Sequence, residues 1–531
     1  LFNPVSRLGV SLYSGLIFLG IAHCLYGLFA FPNPDEAYYW LWGQHPDWSY
    51  YDHPPFHAWV QGIFSAVFGH ARWVLRLPTL LSNGLLLYAY YRLSRDLYGA
   101  QAGAAVWIIV ACLLASPLYF TFLILAWPDQ WLMAFSLVAA VGLIRFFDRY
   151  RLDGRGLSGD LYGAGLALGL AGLCKYTAVF VGLTGLGLIV CDLTLRPLLR
   201  DYRLYGAAAI AAFTLLPILI WNQQNDWLSL QYYLTRSIDS GGAGLHLKPL
   251  EVLGFWGFSL LLLSPVLSWA LVQRLRYLPM GLTGARVPAS SGGPSIDPVT
   301  APSTYNAFAI GLFLVSTGSL SLIGLVSTAL YYWNILAYLL LLPLLPSYFL
   351  RCRFSTDDLR TGKLPSPSWQ RRRGFLLAQG LGCLAATLLL VNYCIFPIAA
   401  WFGPEGDPDG RMLFGWDTVG PAVQAALNTL PADALLLTTD YRSAASLAYA
   451  LNNPQVLAIS ERRDQFDIWA RRRSLAGKPA LLLADDWHPL LPDLAQQFEQ
   501  LTGPQTLSVR RWGGWIKNYY LYQGQGFQPS A

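Results

Sequence analysis

The chain has 531 residues, 54% of them hydrophobic and only 12% charged, with a mean hydropathy of +0.39 and a net charge of +6. Soluble domains carry about 25% charged residues, so this composition excludes an ordinary soluble enzyme and predicts a multi-pass membrane protein. The positive excess is modest and comes without an RNA- or DNA-binding signature, so nucleic acid is not an expected partner.

A bilayer span needs about 20 predominantly apolar residues. Such runs fall near 9–30, 77–95, 101–122, 129–147, 160–174, 176–194, 204–221, 251–272, 305–326, 329–349 and 375–397, which predicts about eleven crossings. Cytoplasmic loops are enriched in Lys and Arg. With the N-terminus inside, the inward segments hold 20 of the 36 basic residues and the outward ends of the spans hold 5. The N-terminus is therefore expected in the cytoplasm. The chain opens at Leu1, and residues 9–30 lack a cleavage site followed by a soluble domain, so they are read as a retained span. The seven cysteines lie in or beside spans without a CxxC pair, which fits small buried apolar residues better than a disulfide framework.

After the first span comes an external loop, residues 31–76, beginning FPNPDEAYYWLWGQHPDWSYYDHPPFHAW. It concentrates Asp35, Glu36, Asp47, Asp52, His45, His53 and His57 among aromatics and prolines at the membrane lip. Arg76-Leu77-Pro78 opens the second span, where proline suits a first helical turn. Arg76 is then an external cation, or else an interfacial arginine whose head snorkels to water. Asp129 follows Trp127-Pro128 at the mouth of the fourth span. An acid there is costly to bury, although a helix N-terminus also favours one. Lys175 stands alone between apolar runs at the outer face, with snorkelling again the alternative.

Residues 221–248 form another external loop, opening Trp221-Asn222-Gln223-Gln224 and carrying Arg236. Residues 281–304 are rich in Gly, Pro and Ser and read as a cytoplasmic linker. The turn Tyr331-Tyr332-Trp333-Asn334 is either a cavity wall or an aromatic anchor. After Pro397 the apolar runs become too short to cross a bilayer. Residues 434–440 and 479–486 read as buried strands, so 404–531 is expected to be a small extracytoplasmic α/β domain behind a membrane domain of 1–403. Asp440, Arg442, Asp485 and His488 lie at strand ends, where α/β domains place ligands, but they read as surface polar residues without a partner motif. No P-loop, dinucleotide fingerprint or nucleophile elbow is visible.

Three motifs in order, Pro34-Asp35-Glu36-Ala37-Tyr38-Tyr39-Trp40, Tyr50-Tyr51-Asp52-His53-Pro54-Pro55 and Arg76-Leu77-Pro78, resemble the first external loop of bacterial GT-C-fold membrane glycosyltransferases. These are related to the protein O-mannosyltransferases and the lipid A aminoarabinose transferase. The resemblance covers about residues 31–240 and loosens beyond them. It implies an all-α polytopic GT-C fold and transfer of a sugar from a polyprenyl-phosphate donor to a lipid, glycan or protein acceptor in the cell envelope. Its Pro-Asp is matched by Asp129, and the lysine placed near the carrier phosphate by Lys175.

Such a transfer needs a base for the acceptor hydroxyl and a cation for the departing phosphate. Asp35 is the expected base, with Glu36 orienting it or facing away and Asp129 as the second acid. Lys175 is expected at the phosphate, assisted by Arg76 or Arg236. Asp52, His53 and Tyr51 are expected to shape a substrate pocket, with Asn222 as a further contact. The whole reading places Asp35, Asp129 and Lys175 in one outward hollow. No cofactor is required by it. A divalent metal on His45, His53, His57 and Asp52 stays open, although Pro54 and Pro55 interrupt the helical spacing of the last two histidines. A lipid or sugar transporter is the alternative, but no internal repeat supports one.

Overall fold

The computed structural model describes residues 7–237, 247–276, 304–350, 369–460, 462–471 and 475–529. The chain forms two compact units.

The first unit comprises Leu1–His23, Thr79–Leu123 and Pro128–Ala386 and is helical. Across the described chain, Arg72–Ala115, Pro128–Asp153, Thr304–Val326 and Gln370–Ile395 are long and apolar enough to cross a membrane. Four bent pairs raise the number to eight if each is one span: Tyr13–Phe29 with Pro34–Gln44, Tyr202–Thr214 with Leu216–Gln224, Pro249–Leu263 with Pro265–Leu275, and Tyr331–Leu339 with Leu342–Phe349. Length and apolarity alone do not yield eleven. The runs expected at 160–174 and 176–194 become helices of 15 and 13 residues, Ser158–Gly172 and Val179–Cys191. Gly165 and Gly169 explain how the first of these packs: a Cβ on Gly165 would lie 2.5 Å from the Ala207 carbonyl oxygen, and one on Gly169 would lie 2.7 Å from Thr214 Cβ. This small-xxx-small face brings two backbones together where apolar burial against lipid drives nothing. The linker expected at 281–304 lies outside the described residues except for Thr304, which opens the helix Thr304–Val326.

The second unit comprises Cys24–Pro78, Ile124–Trp127 and Thr387–Ala531. It holds a five-stranded sheet of order β2-β1-β3-β5-β4: β1 (Leu435–Thr438), β2 (Leu457–Ala458), β3 (Ala480–Asp485), β4 (Gln500–Arg511) and β5 (Gly514–Gln525). The two runs read as strands form β1 and β3, which pair in parallel with Leu435 opposite Ala480. Their near-continuous burial suits parallel strands covered on both faces. β5 is antiparallel to β3, with Asp485 opposite Tyr519, and β4 returns beside it as a long hairpin strand.

This unit does not begin at residue 404. Tyr38, Trp40 and Trp42 of the first-loop helix Pro34–Gln44 share one core with Trp416, Tyr449, Phe466 and Trp469. Tyr38 stacks on Phe466 with ring centroids 5.6 Å apart, and its hydroxyl accepts from the Gln465 amide at 3.1 Å. The Tyr51 amide donates to Gln465 Oε1 at 2.8 Å, and His45 bonds the Pro454 carbonyl at 2.8 Å.

Pro34–Gln44 starts on a capping box: Asn33 Oδ1 accepts from the amides of Asp35 and Glu36, and Glu36 returns a carboxylate oxygen to the Asn33 amide. It crosses the second loop helix, Phe56–Phe68, at a glycine pair. A Cβ on Gly43 would sit 2.6 Å from the Gly62 amide nitrogen, so neither position tolerates a side chain. Gly43→Ala is therefore expected to destabilise the protein by about 1–3 kcal/mol. Gly84→Ala, where nothing lies within 4 Å, is expected to melt like the wild type. Thermal melts of the two purified variants check this.

Candidate functional site

The first-loop helix bends 57° from the apolar helix before it and buries its aromatic face in the core it shares with the α/β part. Its two adjacent acids meet opposite fates. Successive helical residues point about 100° apart, so the side chains of Asp35 and Glu36 meet different surroundings.

Glu36 is fully buried and accepts four hydrogen bonds. Its Oε1 takes Arg76 Nε at 3.0 Å and the Ala126 amide at 2.8 Å. Its Oε2 takes Arg76 Nη2 at 2.7 Å and the Asn33 amide at 2.9 Å. Arg76 Nη1 meanwhile donates to the carbonyls of Tyr26, Gly27 and Ala30. A guanidinium at a helix C-terminus satisfies carbonyls that have no partner within the helix, and it faces the negative end of the macrodipole. The arginine expected to assist a lipid phosphate is thus engaged by Glu36 and the end of the first helix.

Asp35 keeps part of its surface exposed, and among the described residues its carboxylate accepts no hydrogen bond and joins no ion pair. Burial raises its pKa from 3.8 to about 6; Asp409 and Asp52 push the same way, against Arg442 and Arg462. A group poised there is deprotonated at neutral pH but binds a proton readily.

Asp52 is buried, with Oδ1 3.6 Å from Arg462 Nη2. The His53 ring lies edge-on to Tyr39, with centroids 5.8 Å apart. The metal reading does not fit this loop: His45 turns to the Pro454 carbonyl, His57 bonds the Ala126 carbonyl at 2.7 Å, and His53 packs on aromatics. Among the described residues no three His, Cys, Asp or Glu side chains converge as metal ligands would.

The α/β part supplies residues that strand-end reasoning had left on the surface. Arg442 donates from Nη1 to Asp409 Oδ1 at 3.1 Å and from Nη2 to His488 Nε2 at 2.9 Å. Asp485 is fully buried; Lys517 Nζ reaches it at 3.0 Å, Ser443 Oγ at 2.7 Å and His488 Nδ1 at 3.1 Å. Burial alone would raise the Asp485 carboxyl, but Lys517 and His488 hold it well below the usual carboxylate range. The sequence signal was Asp440-Tyr441-Arg442 at the end of β1, which spacing alone cannot connect to Asp35.

In the helical unit, Asp129 and Lys175 come together although 46 residues separate them. Asp129 lies in the first turn of Pro128–Asp153, and Lys175 lies in extended backbone after the helix Ser158–Gly172. Lys175 Nζ donates to both carboxylate oxygens at 2.9 and 3.1 Å and stands 5.1 Å from the centre of the Tyr332 ring. Asn222 is fully buried and bonds backbone, donating to the Ile218 carbonyl and accepting from the Leu230 amide. Arg236 falls in the helix Leu228–Ser237, and its side chain lies outside the described residues. Asn334 is fully buried in a polar network with Ser316, Thr317 and Tyr338, while Tyr338 also bonds Ser259 at 2.7 Å.

Known proteins match this chain over different lengths. A family model described as dolichyl-phosphate-mannose-protein mannosyltransferase matches residues 52–221. A crystal structure of ArnT from Cupriavidus metallidurans bound to undecaprenyl phosphate superposes with a TM-score of 0.57 over 96% of this chain and 97% of that one, at 15% identity. The chain therefore has the GT-C fold of that structure. The apo ArnT structure from the same organism gives a TM-score of 0.54 at 14% identity, covering 95% of this chain and 97% of that one. The lipid A galacturonosyltransferase RgtD of Rhizobium johnstonii is 30% identical over 196 residues. That match takes in 36% of this chain and 38% of RgtD, so the chain spans little more than a third of that relative.

Removing Glu36 leaves Arg76 buried and uncompensated, which costs about 3–5 kcal/mol. Glu36→Ala is therefore expected to unfold far more easily than Asp35→Asn in denaturant titrations. The Asp35 pKa lies above its unfolded value of 3.8, so between the two values the folded state binds the extra proton and stability falls as pH rises. Asp35→Asn should accordingly raise the melting temperature at pH 7 to 8 and leave it unchanged near pH 3.

Proposed function

We propose that this chain is an integral-membrane glycosyltransferase moving a sugar from a polyprenyl-phosphate donor to an extracytoplasmic lipid, glycan or protein acceptor. The observation that carries the reading is Asp35, a carboxylate with no hydrogen-bond partner among the described residues and a raised pKa, next to a Glu36 whose bonding is complete. Support also comes from the mannosyltransferase family model, the galacturonosyltransferase named among its relatives, and the undecaprenyl phosphate named in the ArnT structure.

In this reading Asp35 takes the proton of the acceptor hydroxyl as its oxygen attacks the anomeric carbon. The bond to the carrier phosphate breaks in the same displacement, with inversion. Lys175, oriented by Asp129, stabilises the departing phosphate as a compact charge, and Arg236 is a second cation for it. Asp52, His53, Tyr51 and Asn222 shape the substrate pocket. Glu36 and Arg76 hold the loop that presents Asp35. The N-terminus lies in the cytoplasm and the α/β part outside an inner membrane. The alternative, a lipid or sugar transporter, draws on the four bent helix pairs, since broken helices also mark transport sites.

The deciding experiment incubates purified protein with a panel of polyprenyl-phosphate sugars and follows which is consumed. Asp35→Asn is expected to lower kcat about 10²–10⁴-fold, the usual contribution of a general base. The wild-type kcat/KM should rise with pH through about 6 and level off above it. Lys175→Met should weaken use of the lipid donor. Wild-type turnover by Asp35→Asn would remove the base, and movement of labelled lipid across vesicles without transfer would favour the transporter.

A further inference from the structure

Asp35 and Tyr38 lie three residues apart and therefore on one helical face. Tyr38 meets Tyr441 with ring centroids 5.2 Å apart, so this face looks onto the start of the helix Tyr441–Leu451. The guanidiniums of Arg442 and Arg462 stand 5.7 and 4.5 Å from the centre of the same Tyr441 ring. The first acid of the loop is therefore gathered with charged groups drawn from the far end of the chain.

Those groups are held in place. Asp440 caps the helix by accepting from the Arg442 amide at 2.8 Å, and it also takes Arg442 Nε at 3.4 Å. Arginine has no acceptor, so His488 Nε2 accepts from Arg442, and its Nδ1–H then points at Asp485. Asp485 is tied in turn to Lys517 of β5, which anchors Arg442 to the middle of the sheet. On the other side, Asp409 sits in the short helix Pro408–Arg411, capped by Asp407. The fully buried Arg411 pins that helix by donating to the carbonyls of Gly403, Gly406 and Ile516. Buried ion pairs are weak evidence for stability. Here charged contacts run from the buried Asp485–Lys517 pair through His488 to the more exposed Arg442–Asp409 pair, near a carboxylate that accepts no hydrogen bond among the described residues, and this arrangement calls for another role.

We propose that the Asp409–Arg442 pair of the α/β part is a positioning device for the Asp35 carboxylate, making that part a participant in proton transfer. The proposal deepens the glycosyltransferase reading and rests on Asp35 as its base. Asp409 opposes ionisation of Asp35 and Arg442 favours it, so the two charges together set how readily the base gives up its proton. The other charged and titratable groups facing Asp35 are Asp52 and Arg462, which oppose each other, and Tyr441; Tyr38 and the Arg76-bound Glu36 share its helix.

The test reads Asp35 directly and needs no sugar substrate. Infrared difference spectra of the purified full-length protein are recorded across pH, and those of Asp35→Asn are subtracted to isolate the Asp35 carboxyl band. The wild-type midpoint is expected at about 6. Arg442→Gln should move it up by roughly one unit, the usual effect of losing a nearby opposite charge, and Arg442→Lys should restore most of that shift. Asp409→Asn, a substitution at an exposed position, should move the midpoint down, and the shift should shrink in high salt. Unmoved midpoints in Arg442→Gln and Asp409→Asn, shifts of the same sign, or no Asp35 band titrating near 6 would overturn the proposal. Opposed shifts in a protein that transfers no sugar would leave the pair standing and remove the glycosyltransferase reading.

Discussion

The buried contact between Glu36 and Arg76 organises the second unit. One carboxylate ties the start of the first-loop helix, the guanidinium and the amide of Ala126 together. The same guanidinium closes the carbonyls at the end of the first apolar helix. Three stretches that are distant in sequence are thereby fixed at one point, with every lone pair answered. Two charges taken out of water are tolerable only under that condition. Asp35 is the residue that this point presents, because the capping box that engages Glu36 leaves its neighbour turned elsewhere.

The same economy recurs in the helical unit. Lys175 and Asp129 meet through both carboxylate oxygens beside an aromatic ring, and Asn334 gathers hydroxyls around its amide. Each cluster satisfies its own polar groups, as charges placed among apolar helices must. The lysine pair and the first loop differ in what they leave over: Lys175 and Asp129 engage each other, whereas the first loop keeps one acid without a partner among the described residues.

Much of this was legible in the residues. The density of acids and aromatics in the opening loop, the isolated Asp129 and Lys175, and the two apolar runs that became β1 and β3 all follow from local composition and periodicity. The division of labour between Asp35 and Glu36 did not, since adjacent acids look alike until a cap and a distant arginine choose between them. The hairpin of β4 and β5 carried a signal in Trp512-Gly513-Gly514 between alternating residues, but it was eclipsed by the stronger apolar runs before it. The place of Arg442 beside the first loop was out of reach for a different reason. It depends on packing between segments some 400 residues apart, which no window on the sequence can span.

That separation has a consequence for how the protein is made. The amide of Tyr51 waits for Gln465, 414 residues downstream. At ordinary synthesis rates the interval is roughly 20 to 80 s. Throughout it Tyr38, Trp40 and Trp42 have no core to enter, so biogenesis must shelter a sticky aromatic helix until the last fifth of the polypeptide has emerged. Faults in assembly should therefore surface as retention or degradation of nearly finished chains, long before any defect in chemistry is felt.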